Sequence, residues 1–212
     1  MKKMIAFFVV IFLVLTFNCW AQFSGQLSTA KTVKEGGLLG GGYFGVYEDA
    51  FSIFGQMRYG FMADFDGGIK LGLLNLDPGG GFGESKTGII LAGDAKYQLL
   101  KREAKDPVDC SFGLGMEYLS ISDYSIFSFG GNLIGSYDFV LESKKVITPY
   151  GRLNLRAQRA EVTIAGLEGD TDFKVAFCLG TEIQLTPELS MIAELQIDDN
   201  VGIIGGVSYN IF

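Results

Sequence analysis

The chain has 212 residues, 30 of them Gly and only 4 Pro, with 48% apolar and 19% charged; that is one domain's worth of chain, and so much glycine suits curved, closely packed strands better than helices. A formal charge of −7 argues against a nucleic-acid partner, which needs a basic surface to release counterions. The chain has no His, which removes histidine metal sites and histidine acid-base chemistry.

The chain opens on Lys2 and Lys3, continues uncharged over 4–17, and reaches Cys19-Trp20-Ala21 ahead of Gln22. A basic start, an apolar run and a small-x-small site predict a secretory signal peptide over 1–21, cleaved after Ala21. The apolar run is shorter than the roughly 20 residues of a membrane-spanning helix. Phe17 and Asn18 before Cys19 do not make a lipidation site. Loss of Lys2 and Lys3 takes the formal charge from −7 to about −9. Cys110 and Cys178 then remain; strand parity points them to opposite faces, so two free thiols are expected.

Residues 22–36 form a polar lead-in with no apolar stripe. It is expected either as a lead-in on the periplasmic side or as a segment tucked into the barrel mouth. From 37 to 212 the text becomes a succession of alternating segments separated by turn residues, the pattern of an antiparallel meander. Ten are predicted: 37–48, 51–59, 64–74, 87–99, 109–120, 124–139, 147–158, 172–185, 189–197 and 201–212. They exceed the about 5 or 6 residues of ordinary soluble strands and match the roughly 9 to 11 that cross a bilayer core.

Each segment has two faces. Phe65, Ile69, Leu71 and Leu73 oppose Asp64, Asp66 and Lys70; Ile89, Leu91 and Tyr97 oppose Asp94, Lys96 and Gln98; Leu153 and Leu155 oppose Arg152, Asn154 and Arg156. The first segment, with Leu38 beside Leu39 and Tyr43 beside Phe44, leaves its facing open. Such a volume of apolar side chain cannot fit inside one ten-stranded barrel, so the apolar face is predicted outside unless the sheet is split into a secreted soluble sandwich. Aromatics of that face gather in two bands, with Tyr59, Phe65, Tyr97, Phe112, Phe139 and Tyr209 toward one rim and Phe51, Tyr118, Phe127 and Phe173 toward the other, as membrane barrels require. With both termini periplasmic, the two longest connections, 75–86 and 159–171, are expected on the outer side, and the inner-side connections 60–63, 101–108, 141–146 and 186–188 are all shorter.

The last segment reads VGIIGGVSYNIF. Gly206, Tyr209 and Ile211 follow the spacing of a glycine trailed by alternating bulky residues, and Phe212 ends the chain one residue beyond that alternation. This resembles the C-terminal signature of bacterial outer-membrane β-barrels, and the chain as a whole is similar to a small member of that porin-like superfamily. The resemblance implies an all-β, antiparallel up-and-down transmembrane barrel of ten strands in the bacterial outer membrane. It implies contact with outer-membrane lipid and lipopolysaccharide, and insertion by the barrel assembly machinery through Gly206, Tyr209, Ile211 and Phe212. The enzymes known on such small barrels depend on a histidine, so none of their mechanisms transfers.

The charges on the inward parity are the nearest thing to a functional constellation: Arg58, Lys70, Lys96, Arg152, Arg156 and Lys174 against Asp64, Asp66, Asp94, Glu117, Asp138, Glu182 and Glu194. Their near balance predicts pairing that fills a narrow lumen, where a selective pore would show rings of one sign. Phe54, Leu74, Ile90, Ile192 and Ile204 share that parity and add to the packing. The glycine run 79–81 lacks the Lys-Ser/Thr of a phosphate loop, and the acidic residues Asp77, Glu84, Glu168, Asp170 and Asp172 read as solvated loop charge. No cofactor or metal is expected, and no enzyme activity. The function expected is structural, or a narrow, weakly selective channel for ions or a small solute; the alternative is a surface adhesin or binding module acting through 75–86 and 159–171.

Overall fold

The computed structural model describes residues 26–76, 85–104, 106–122, 124–143, 145–162, 170–198 and 200–212. The expected leader lies outside these. The strands are β1 (Leu38–Tyr47), β2 (Ala50–Met62), β3 (Phe65–Leu76), β4 (Lys86–Leu100), β5 (Asp109–Ile121), β6 (Tyr124–Ser136), β7 (Phe139–Val140), β8 (Val146–Val162), β9 (Asp170–Gln184), β10 (Leu189–Ile197) and β11 (Val201–Asn210). Every long strand pairs antiparallel with its sequence neighbours, β6 pairs with β8, and β1 pairs with β11 from Leu39↔Asn210 to Tyr47↔Gly202. The sheet closes on itself as a ten-stranded up-and-down barrel, as the alternation predicts.

The two-residue β7 is not an eleventh stave. It continues β6 in the same register along β8, with Ser136↔Tyr150 followed by Phe139↔Ile147, and Tyr137 donates to the Pro149 carbonyl at 3.2 Å between them. Pro149 has no N–H to return that bond, so the ladder is interrupted there. This one predicted segment, 124–139, therefore appears as two.

Period two along each strand turns one set of side chains out and the other in. The outward set is apolar and open: Ile69 is 66% exposed, Leu71 63%, Val175 61% and Ile203 60%. The inward set holds charge, with Arg58 1% exposed and Arg152 0%. A water-soluble protein has the reverse distribution, so the solvent of the outer face is hydrocarbon. The outward aromatics stand in two bands: Phe65, Tyr97 and Phe112 face one another across β3, β4 and β5 near the end that carries the start of β1, and Tyr118 and Phe127 pair near the opposite end. Arg159 and Glu161, exposed and 3.0 Å apart on the last turn of the pleat of β8, mark where the belt stops.

The expected sorting of connections changes. β8 runs on to Val162 and β9 begins at Asp170, so the connection 163–169 is shorter than 101–108 at the opposite end. Pairing continues to Tyr124↔Val162 and Ala160↔Asp170, and length alone no longer separates the two sides.

Facing of the first strand is settled by β11. Tyr43 and Tyr47 point inward and Phe44 and Val46 outward, because Tyr43 lies over Gly206 and its hydroxyl meets Ser208 at 2.8 Å across the seam.

Inside-out assignment gives a direct test. Leu71→Arg, at the middle of β3, is expected to cost about 2–4 kcal/mol of folding free energy in lipid vesicles, while Tyr209→Arg, at the rim, costs about 0–1 kcal/mol. Denaturant unfolding in vesicles measures both; a Leu71→Arg cost near zero would reverse the assignment.

Candidate functional site: the barrel lumen

The lumen is layered. Toward the end opposite the start of β1, Phe54, Leu74, Ile90, Leu119, Ile121 and Ile126 are all buried and pack together. Register explains the cluster, since Ile90 faces Leu119, Leu119 faces Ile126, and Phe54 meets Ile90 across Gly72. Ile192 and Ile204 are buried on the opposite wall. Together they make a dry layer inside a polar interior.

Three contacts of the polar layers follow one geometric rule: a long side chain reaches past a small residue on the next strand to a partner two strands away. Arg58 on β2 crosses Gly68 on β3 and donates from Nη1 to Asp94 on β4 at 2.8 and 3.0 Å. A Cβ on Gly68 would stand 3.0 Å from that guanidinium nitrogen, so the small residue opens the path. Lys70 crosses Ala92 to Glu117 at 2.5 Å. Tyr150 crosses Gly180 and its hydroxyl donates to Glu194 at 2.7 Å. Arg152 also donates to Glu194, Arg58 also to Asp66, and Lys96 lies 3.7 Å from Asp66. Arg156 pairs with Asp198 beyond the end of β10.

Other expected lumen charges sit at the rims. Asp64 is in the β2–β3 turn, where it pairs with Lys101; parity alone put it on the wall, but the strand begins one residue later. Asp138 lies in the break between β6 and β7, paired with Lys31 and accepting from Thr148 at 2.8 Å. Glu182 is half-buried on the wall of the mouth, hydrogen-bonded to Ser190, and Lys174 is half-buried opposite Arg156. Cys178 is buried, Cys110 half-buried, and both are free.

What the sequence did not reveal is how much of the lumen the lead-in occupies. Gln26, Leu27, Ser28, Thr29 and Ala30 are all buried inside the barrel, which selects the tucked placement. Gln26 donates to Asp94 at 2.6 Å, and Lys96 donates to Ser28 Oγ at 2.9 Å. This strap then leaves at the end where β1 starts, turning at Gly36 (φ 75°). It passes so close to β2 that a Cβ on Gly60 would lie 2.0 Å from the Lys34 carbonyl oxygen. Gln56 and Gln98, which receive the strap, share the inward parity of Arg58 and Lys96; that parity was the available signal, although polar amides on a wall do not announce a peptide ligand.

Two cavities lie among the described residues of the lumen. One of about 280 Å³ opens at the strap end, between the strap and the wall residues Thr148, Glu182, Gln184 and Ser190. The other, beside Gln26, Lys70 and Glu117, has about 20 Å³, room for a single water.

No family model matches the chain, and no curated protein matches it. Solved structures similar to it include the β domain of the Bordetella autotransporter BrkA, at 11% identity, covering 83% of this chain and 99% of that one with a TM-score of 0.48. Neisserial surface protein A is similar at 16% identity, 82% and 95% coverage and a TM-score of 0.42. An outer membrane channel from Pseudomonas putida F1 is similar at 12% identity, 90% and 100% coverage and a TM-score of 0.40. The chain's own inside and outside are what identify its architecture: charges within, apolar side chains without, and, among the described residues, no free sheet edge. It is a transmembrane β-barrel. Of the two ranges considered as surface loops, 75–76, 86, 159–162 and 170–171 belong to strands, and 77–84 and 163–169 lie outside the described residues.

The Arg152–Glu194–Tyr150 group gives a measurable energy. Glu194→Gln leaves the Arg152 charge buried without its counter-ion and is expected to cost about 3–5 kcal/mol. In a double-mutant cycle with Arg152→Met the two losses should fall short of additivity by about 0.5–3 kcal/mol, read by urea unfolding of the refolded barrel; additive losses would show that the pair does not interact.

Proposed function

We propose that the protein resides in the bacterial outer membrane as a barrel whose lumen is a narrow channel held shut. The observation that carries this reading is the filling of the interior from three sources at once: the dry layer around Phe54 and Ile90, the paired charges, and the strap. An ion crossing such an interior must displace side chains held in a low-dielectric hydrogen-bonded network. Passage of ions or a small solute, weakly selective because both signs line the wall, then requires that network to rearrange. For assembly, β11 supports recognition by the insertion machinery: Tyr209 and Ile211 face outward, Gly206 lies under Tyr43, and Phe212 continues the pairing through its carbonyl, 2.9 Å from the Leu38 amide.

Planar-bilayer recording tests the closed state. The parent is expected to show no steady conductance at moderate voltage. Arg152→Ser with Arg156→Ser removes two long side chains and takes from Glu194 and Asp198 their arginine partners, so the double variant should conduct with cation preference and lose heat resistance. A large, steady current through the parent would refute the closed lumen.

A further inference from the structure

The strap is held the way a ligand is held. The wall reads its main chain at every residue from Thr29 to Val33. The Lys96 ammonium donates to the carbonyls of Thr29 at 2.9 Å and Lys31 at 2.6 Å; Ser136 accepts from the Ala30 amide at 3.2 Å, Gln98 from the Thr32 amide at 3.3 Å, and Asp66 from the Val33 amide at 2.8 Å. One step deeper, Gln56 makes a two-way contact with Leu27, accepting from its amide at 3.3 Å and donating to its carbonyl at 3.0 Å.

These five wall side chains come from β2, β3, β4 and β6. Each is buried, and each makes at least one hydrogen bond with a peptide group that any sequence would present. The strap side chains at the centre of the stretch, Ser28, Thr29 and Ala30, are small and specify little, while Gln26 and Lys31 to either side reach Asp94 and Asp138. None of the contacts uses the covalent connection to β1. That connection is a separate feature, the turn through Gly36 past Gly60.

We propose that the strap-end half of the lumen is a binding site for an extended polypeptide, filled in cis by residues 26–33 and open to a peptide from elsewhere when the strap withdraws. The inference rests on the strap being part of the closure of the lumen described above. A polypeptide in a lumen has no sheet edge to pair with, so its amides and carbonyls must find side-chain partners; a wall that offers amide, carboxylate, hydroxyl and ammonium groups at alternating positions meets that need. The tether holds the strap at a high effective concentration, which keeps competitors out while it is intact.

The test severs the tether in the folded, full-length barrel. A protease site inserted between Lys34 and Glu35, both exposed, is cut in detergent, and a fluorescent synthetic peptide of residues 26–34 is titrated by anisotropy. Cut protein is expected to bind the peptide more than about tenfold tighter than uncut protein. A peptide of the same composition in shuffled order should bind within a few-fold of the native order. A peptide N-methylated at Ala30, Thr32 and Val33, which loses the three amide donors, should bind more than about tenfold weaker. Gly60→Val, which crowds the Lys34 carbonyl without touching a wall contact, should let uncut protein take up the labelled peptide.

Failure of the cut barrel to exchange its strap, full binding by the N-methylated peptide, or rejection of the shuffled peptide would each overturn the proposal. The last of these would make the strap a private plug. Binding is read without a membrane current, so an open-pore parent would sink the closed-channel reading and leave this result standing on its own.

Discussion

A sheet edge cannot be left open in hydrocarbon, because each unpaired N–H and C=O there costs several kcal/mol. Every other feature of this barrel follows from the need to close. The seam that closes it joins β1 to β11 over nine successive residue pairs, and glycine contributes on both sides of it, at 40–42 and 45 on one strand and 202, 205 and 206 on the other. With few side chains of its own to hold it, the seam leans on Tyr43, stacked on Phe54 within 5.4 Å and hydrogen-bonded to Ser208. One residue thus ties closure to the packing of the lumen.

Closure also fixes the polarity of the interior. Once the apolar face is committed to lipid, the opposite face of every strand is left to fill a tube too narrow for bulk water. Charges confined there must be paired, since an isolated buried charge is far more costly than a pair. The barrel pairs them across a strand, with Gly68, Ala92 and Gly180 standing where a larger side chain would block the reach. Glycine in these strands is therefore partly an electrostatic device, placed where one side chain must pass over another.

The strap and the ion pairs depend on each other. Asp94 receives both Arg58 and Gln26, Asp66 receives both Arg58 and the Val33 amide, and Lys96 divides its donors between the strap and the vicinity of Asp66. Withdrawal of the strap would leave Lys96 and Asp94 short of partners and expose the 280 Å³ mouth to the deeper lumen. Any event that moves the strap is thereby coupled to the electrostatics of the interior, and the coupling passes through three adjacent strands.

The sequence by itself determined the backbone's two-fold alternation, and with it the ten strands, the outward apolar belt and the inward position of Arg58, Lys70, Glu117, Arg152 and Glu194. Alternation is a local property of extended chain, so it can be read without knowing any partner. Only the tertiary structure decided which charge meets which, because the partners are 36, 47 and 42 residues apart for Arg58–Asp94, Lys70–Glu117 and Arg152–Glu194 and are brought together by register across a closed sheet. It also decided the facing of Tyr43, which depends on a glycine in the last strand, and the rim position of Asp64, which parity could not separate from the wall. Residues 26–35 carry only weak alternation and no apolar stripe to read, since a chain that takes its hydrogen bonds from surrounding side chains has no face of its own. Its place became visible only when the barrel had closed around it.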